Sequence, residues 1–295
     1  MIFKPKKDFR VFDRLRKRLP GKWGNVPVTV PVVRLQGAIG MASPLRPGLS
    51  LANVAQQLDK AFSIDGPAVA LIVNSPGGSP VQSRLIHARI RALAEEKKKD
   101  VLVFVEDVAA SGGYMLAVAG DEIIADPSSV VGSIGVVSAG FGFPEALAKL
   151  GIERRVHTAG PNKAILDPFR PEREEDVQHL KALQLEVHDV FIDLVKSRRG
   201  EVLSDNPDLF TGLFWTGTTA RDLGLVDSLG DLRSVLRERF GDKVKTPLIS
   251  APRSLFGRRQ ASGVEAGASG GLTQGLADEA LSALEIRALW ARYGL

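Results

Sequence analysis

Cysteine is absent from the 295 residues, which excludes disulfide staples, thiolate metal sites and a cysteine nucleophile. Histidine is scarce. His87, His157, His179 and His188 are the whole supply, and none has a neighbouring pattern that marks a general base. Long apolar runs are missing too: Ala68 to Val73 is typical, far below the roughly 18 residues that span a bilayer. No apolar stretch follows the charges at the start of the sequence, so neither a transmembrane helix nor a secretory signal peptide is expected, and the expected location is cytoplasmic or peripheral at a membrane.

What is present is a chain that is 44% hydrophobic, enough to bury a sizeable core. The net charge of +5 is uneven, because residues 1–22 carry +7 and the remainder −2. The basic balance therefore describes one segment and gives no reason to expect a nucleic-acid partner. Within that segment Phe9, Phe12, Leu15 and Leu19 fall near one helical face, as in a helix lying on an anionic membrane surface or docked on protein. The expected organisation is a basic amphipathic segment over 1–25, a catalytic-sized domain over 26–252, a Gly/Ser/Ala-rich linker over 253–275 and an amphipathic helix over 276–295.

Within the large domain, apolar strands alternate with helices. Val28 to Leu35 reads as an edge strand with prolines, and Leu51 to Phe62 as a helix. Ala68 to Val73 is a continuous apolar strand, followed by a helix over Val81 to Glu95 with Leu85, Ile86, Ile90 and Leu93 inward. Val101 to Val105 is the next strand, and a helix starts near Tyr114. Further strands are expected at Glu122 to Ala125, Ile134 to Ser138 and Glu153 to Val156, with helices over 144–150, 171–198, 218–223 and 232–240. Strands that are apolar throughout and alternate with helices predict an α/β fold with a mostly parallel sheet covered by helices.

Substrates bind outside the carboxyl ends of such strands, and two loops there carry chemistry. One is Asn74-Ser75-Pro76-Gly77-Gly78-Ser79; the other is Ala110-Ser111-Gly112-Gly113. Ser111 stands at a strand-to-helix turn, where it reads either as a helix cap or as an exposed nucleophile. Gly78 and Gly112 can offer two backbone N–H donors to an oxyanion. A base used with serine, other than histidine, is lysine, once desolvation brings its pKa from about 10.4 toward 7. Lys163 stands in a stretch, His157 through Leu166, that holds no other charged residue.

The loops Asn74–Gly78, Ala110–Tyr114 and Val131–Val136, with Trp215-Thr216-Gly217 and Ala220 to Asp227 later on, resemble the motifs of the Ser-Lys signal peptide peptidase A family, over about residues 28 to 240. The resemblance implies a crotonase/Clp-protease-like spiral of β-β-α units and a subunit of a homo-oligomeric ring. It makes Ser111 the nucleophile, Lys163, 52 positions later, the general base, and Ser133 the residue that hydrogen-bonds the lysine. Gly78 and Gly112 match the oxyanion-hole region. Asn74, Ser79, Ile134, Gly135 and Val136 are then expected substrate contacts, the last three on a strand that pairs with an extended peptide. The implied activity is cleavage of signal-peptide remnants or other unfolded apolar peptides, without metal or other cofactor. Members often carry an N-terminal membrane anchor, and the basic segment is expected to stand in its place here. Two other readings remain open: a crotonase-like enzyme on acyl-CoA, which leaves Ser111 and Lys163 without roles, and an inactive protease-fold scaffold at a membrane.

Overall fold

The computed structural model describes residues 27–41, 48–250, 284 and 286–295. The basic segment, the whole expected linker and most of the expected final helix lie outside the described residues. Among the last ten residues, 286–291 are helical.

The order of elements is β1 (Val32–Gln36), α1 (Leu51–Ser63), β2 (Ala68–Ser75), α2 (Pro80–Lys97), β3 (Asp100–Ala110), α3 (Gly112–Ala117), β4 (Glu122–Ala125), β5 (Val130–Gly132), α4 (Pro144–Lys149), α5 (Glu174–Arg199), β6 (Phe214–Thr216), α6 (Gly217–Asp222), β7 (Ser228–Leu229) and α7 (Leu232–Phe240). The main sheet runs β1-β2-β3-β4-β7 with every pairing parallel. β5 leaves that path, pairing parallel with the end of β3 and antiparallel with β6. This is the mostly parallel α/β sheet with flanking helices that the motifs imply.

Both faces of the sheet are buried, which is why its central strands are apolar without alternation. Val69, Leu71 and Val73 of β2 and Val101, Val103 and Val105 of β3 enter one core with residues of α1, α2, α3 and α5. Ala68, Ala70, Ile72, Leu102 and Phe104 enter a second core, closed by Leu236 of α7. At roughly 25 cal/mol per Å² of apolar surface, each fully buried leucine or isoleucine contributes about 2 kcal/mol, so this double layer is the foundation of the site.

Several expectations need correction. β3 extends five residues past Val105, through Glu106 and Asp107, to Ala110. No strand forms over Ile134–Ser138 or Glu153–Val156; the strand near the former is β5, which ends at Gly132. Ser133 is in the left-handed region (φ 53°), and that conformation breaks the extended run. Leu85 is 43% exposed, because α2 turns Ser83, Ile86, His87, Ile90, Leu93 and Ala94 inward and leaves position 85 at the rim. The long helix starts at Glu174, so Pro171 precedes it; its acidic first turn, Glu174, Glu175 and Asp176, suits the helix dipole.

One region stays outside the cores. From Val136 to Glu175 no hydrophobic side chain is buried, and Val137, Phe141, Leu150 and Ile152 are more than half exposed. This arm is pinned to itself: Phe143 N–H donates to Pro168 O at 2.6 Å, Phe143 packs on Phe169, and the Arg154 guanidinium lies over the Phe169 ring while bonding Asp167.

Candidate active site

A change of neighbours along β3 builds the site. Its first half pairs with β4, Leu102 to Val105 against Glu122 to Ala125; its second half pairs with β5, Val108 to Ala110 against Val130 to Gly132. Between the halves the register with β2 slips, Val73 facing Val105 but Ser75 facing Ala109, a bulge that re-aims the strand end. Polar groups hold the bulge. Glu106 takes a two-bonded grip from Arg34 at 2.7 and 2.8 Å, and Asp107 accepts from Asn74 Nδ2 at 2.7 Å.

The pairing of Ala110 with Gly132 brings the next residues of both strands, Ser111 and Ser133, side by side. Each adopts φ 53°, a conformation that costs a non-glycine residue about 1–3 kcal/mol and persists only where the surroundings impose it. Ser111 N–H donates to Gly132 O at 2.8 Å, and Ser133 N–H to Leu213 O at 2.7 Å. Ser111 is half-buried and Ser133 buried. Ser111 makes no side-chain cap bond to α3, although Tyr114 N–H and Met115 N–H donate to its carbonyl. Its hydroxyl is thus not spent on capping.

The opposite wall is the loop after β2. Ser75 Oγ donates to Gly37 O at 2.7 Å and accepts from Gly77 N–H at 3.2 Å, which fixes the turn. Gly77 and Gly78 have φ 101° and 135°; a Cβ on Gly77 would stand 2.8 Å from Ser111 Cβ, and one on Gly78 would stand 2.2 Å from Ile39 O. Only glycine fits either position. Gly77 O accepts from Ile39 N–H and Ile39 O from Ser79 N–H, both at 2.8 Å, while among the described residues no acceptor is found for the N–H of Gly78 or of Gly112. Gly112 follows Ser111 in the chain and Gly78 follows the glycine packed against Ser111, so both of these amides lie in the neighbourhood of the serine.

The other expected residues are placed as follows. Asn74 is buried, and its Oδ1 has no partner among the described residues. Ser79 caps α2, its Oγ accepting from Gln82 N–H at 3.3 Å. Ile134 is buried, and its carbonyl lies 3.1 Å from His188 Nε2; Val136 is exposed, and Gly135 Cα lies against the backbone of Gly212. Lys163 is exposed on the arm, and among the described residues it has no hydrogen bond or ion pair to Ser111 or Ser133. His188 thus reaches the residue after Ser133, and the other three histidines stand elsewhere. His87 is buried near Val118, past the far end of α3 from Ser111, and burial together with Arg198 and Arg91 pushes its pKa down to about 4. His157 and His179 are exposed.

Two features of the site carry little signal of their own in the sequence. Gly77 touches Ser111 and is marked only by the paired glycines. Tyr293 is buried, with its hydroxyl 3.2 Å from Ser133 Oγ and 3.5 Å from Pro76 O. The closing motif is architectural: Tyr114 Oη donates to Leu225 O at 2.7 Å, and Asp227 holds Arg199 through two bonds at 2.9 Å while accepting from Ile123 N–H.

With this geometry in place, comparison with known proteins is informative. A family model described as peptidase family S49 matches residues 93–243, about half of the chain, from the end of α2 through α7. The chain belongs to peptidase family S49. A Brucella abortus protein named Na(+)/H(+) antiporter NhaA is 59% identical over 293 residues, 98% of this chain and 40% of that protein. A putative protease of Methanocaldococcus jannaschii is 35% identical over 63% of this chain and 58% of its own length. A putative signal peptide peptidase SppA of Enterococcus faecium is 31% identical over 59% of this chain and 49% of its own length. The chain therefore spans between two fifths and three fifths of the length of these relatives. Among the described residues no helix is long and apolar enough to cross a membrane. S49 membership supports the signal peptide peptidase A resemblance carried by the serine loops.

Proposed function

We propose that this S49 chain is a serine endopeptidase with a Ser111–Lys163 dyad, acting on signal-peptide remnants or other unfolded apolar peptides. The observation that carries the reading is the Ala110–Gly132 pairing, which sets Ser111 beside Ser133 with the free amides of Gly78 and Gly112 at hand. Lys163 in its neutral form takes the proton from Ser111 Oγ as Oγ bonds to the peptide carbonyl carbon. The carbonyl oxygen becomes an oxyanion held by Gly78 and Gly112, a contribution worth on the order of 10²-fold in rate per donor. As the C–N bond breaks, the lysine returns its proton to the leaving amine. Water, deprotonated by the same lysine, then hydrolyses the Ser111 ester. Ser133 Oγ accepts a hydrogen bond from the lysine amine and so positions it.

The exposed position of Lys163 supports a dyad formed between copies. In this reading the arm of one subunit delivers Lys163 to Ser111 of the next, and the exposed Val137, Phe141, Leu150 and Ile152, with Leu183, Leu185 and Val190 on α5, are covered by that neighbour. A closed ring satisfies every arm in turn. The segment after Ile134, unpaired in the single chain, is the edge on which an extended substrate adds as a strand. The acyl-CoA and scaffold readings are weaker, because neither uses both the strained Ser111 and the isolated Lys163.

The test is hydrolysis of an unfolded apolar peptide by the wild type and by Ser111→Ala and Lys163→Ala variants whose circular dichroism is unchanged. Cutting by the wild type alone is the expected result. Equal cutting by all three would remove the dyad.

A further inference from the structure

Residues 286–295 return to the site from far along the chain. Trp290 and Tyr293 pack on Val108, Ala110 and Val130, in the strands that lead into the two serines. Tyr293 is 7% exposed, and Phe214 of β6 meets its ring edge-on at 5.1 Å. Its hydroxyl donates to Ser133 Oγ at 3.2 Å and lies 3.5 Å from Pro76 O. One side chain therefore touches the loop of Gly77 and Gly78, the residue before the nucleophile and the serine expected to hold the base. A buried tyrosine needs a partner for its hydroxyl, and the partner here is the acceptor that a lysine amine would use.

We propose that residues 286–295 are an intramolecular plug of the dyad site, in which Tyr293 stands where the lysine amine must stand and keeps the chain latent until the segment is displaced. The proposal rests on the Ser111–Lys163 reading for its catalytic consequence, but the docking itself does not. Tyr293 and Lys163 compete for one Ser133 oxygen, so the plug and an incoming arm exclude each other. Assembly of the dyad and release of Tyr293 are then the same event. An apolar peptide that fills the space of Trp290 and Tyr293 assists it.

Two measurements on the full chain test this. The first is peptide hydrolysis by the wild type and by the Tyr293→Phe, Tyr293→Ala and Trp290→Ala variants. If the plug is closed most of the time, opening it raises the competent fraction, and Tyr293→Ala should increase the rate about tenfold at fixed protein concentration. Tyr293→Phe keeps the ring contacts and loses only the hydroxyl, so a smaller rise is expected. The second is binding of a fluorescent peptide of residues 284–295 to the Ser111→Ala/Trp290→Ala/Tyr293→Ala chain, followed by anisotropy. Saturable binding, lost when the peptide itself carries Tyr293→Ala, is expected. Failure of that peptide to bind would overturn the plug, as would unchanged or lower rates in an active Tyr293→Ala enzyme. Binding by a chain that cuts no peptide in any form would retain the plug and overturn the peptidase reading instead.

Discussion

Gly77 lies against Ser111 so closely that a methyl group at position 77 would stand 2.8 Å from Ser111 Cβ and 2.9 Å from Gly112 N. Three groups of the proposed reaction meet at that contact: the loop that presents Gly78, the nucleophile and the Gly112 amide. Space for them exists because residue 77 has no side chain.

Gly77→Ala is accordingly expected to abolish activity while leaving the cores intact. Its φ of 101° and the backbone atoms it would strike force the loop to move, and displacing one oxyanion donor costs about 10²-fold or more. Peptide hydrolysis set against thermal unfolding separates the two effects. A variant with wild-type rate would show that the loop is not part of the site.

The proposed delivery of Lys163 from a neighbour predicts complementation. Ser111→Ala and Lys163→Ala chains, each inert, should regain activity when unfolded and reassembled together. In a ring of randomly mixed subunits about a quarter of the sites pair an intact serine with an intact lysine, so roughly a quarter of wild-type activity is expected. Persistent inactivity in a mixed assembly of native size would place both residues in one chain.

His87 makes stability depend on pH. Its folded pKa, pushed down to about 4 chiefly by burial, lies below the unfolded value of about 6.5, so the unfolded chain binds the proton first as pH falls. Stability from this group is complete above pH 6.5 and declines from there toward pH 4, by up to roughly 3 kcal/mol. Urea unfolding of the wild type and His87→Leu at pH 7, 6 and 5 should show a shallower decline in the variant. His87 Nε2 has no hydrogen-bond partner to lose among the described residues.

The Arg199–Asp227 pair predicts a structural cost away from the chemistry. Arg199 also donates to Gly224 O, and its side chain is only 7% exposed. Arg199→Met leaves Asp227, which is 30% exposed, without its cation, and about 3 kcal/mol of destabilisation is expected, at the lower end for a broken buried pair. Chemical denaturation measures it, and a change within 0.5 kcal/mol, the scale of an ordinary surface substitution, would contradict the role given to this pair.

The central layers were legible because burial on both faces writes itself as continuous apolar runs. Ala68 to Val73 and Val101 to Val105 needed no context, and the helices between them followed from their spacing. What was illegible depended on partners distant in sequence. Glu106 and Asp107 read as loop residues, yet Arg34 and Asn74 make them strand residues, and this extension carries Ser111 to its place. Val130 to Gly132 is too short to show a period and is a strand only because β3 and β6 receive it. The motif loops drew attention to Ser111, Ser133, Gly78 and Gly112, and the structure adds that the strands before the two serines pair, Ala110 with Gly132. Nothing local announces Tyr293 against Ser133, since 160 positions separate them.

The bond from Ser111 N–H to Gly132 O has a further consequence for what regulation has to control. Neighbouring strands stand about 4.8 Å apart, so the distance between the two serines is set by the sheet and follows no hinge. In the proposed mechanism, nucleophile, oxyanion donors and the hydroxyl that receives the base are then held by one sheet. That proposed reaction would have a single mechanical degree of freedom, the arrival of an amine, so control of access to that one position would govern it without reshaping the rest of the site.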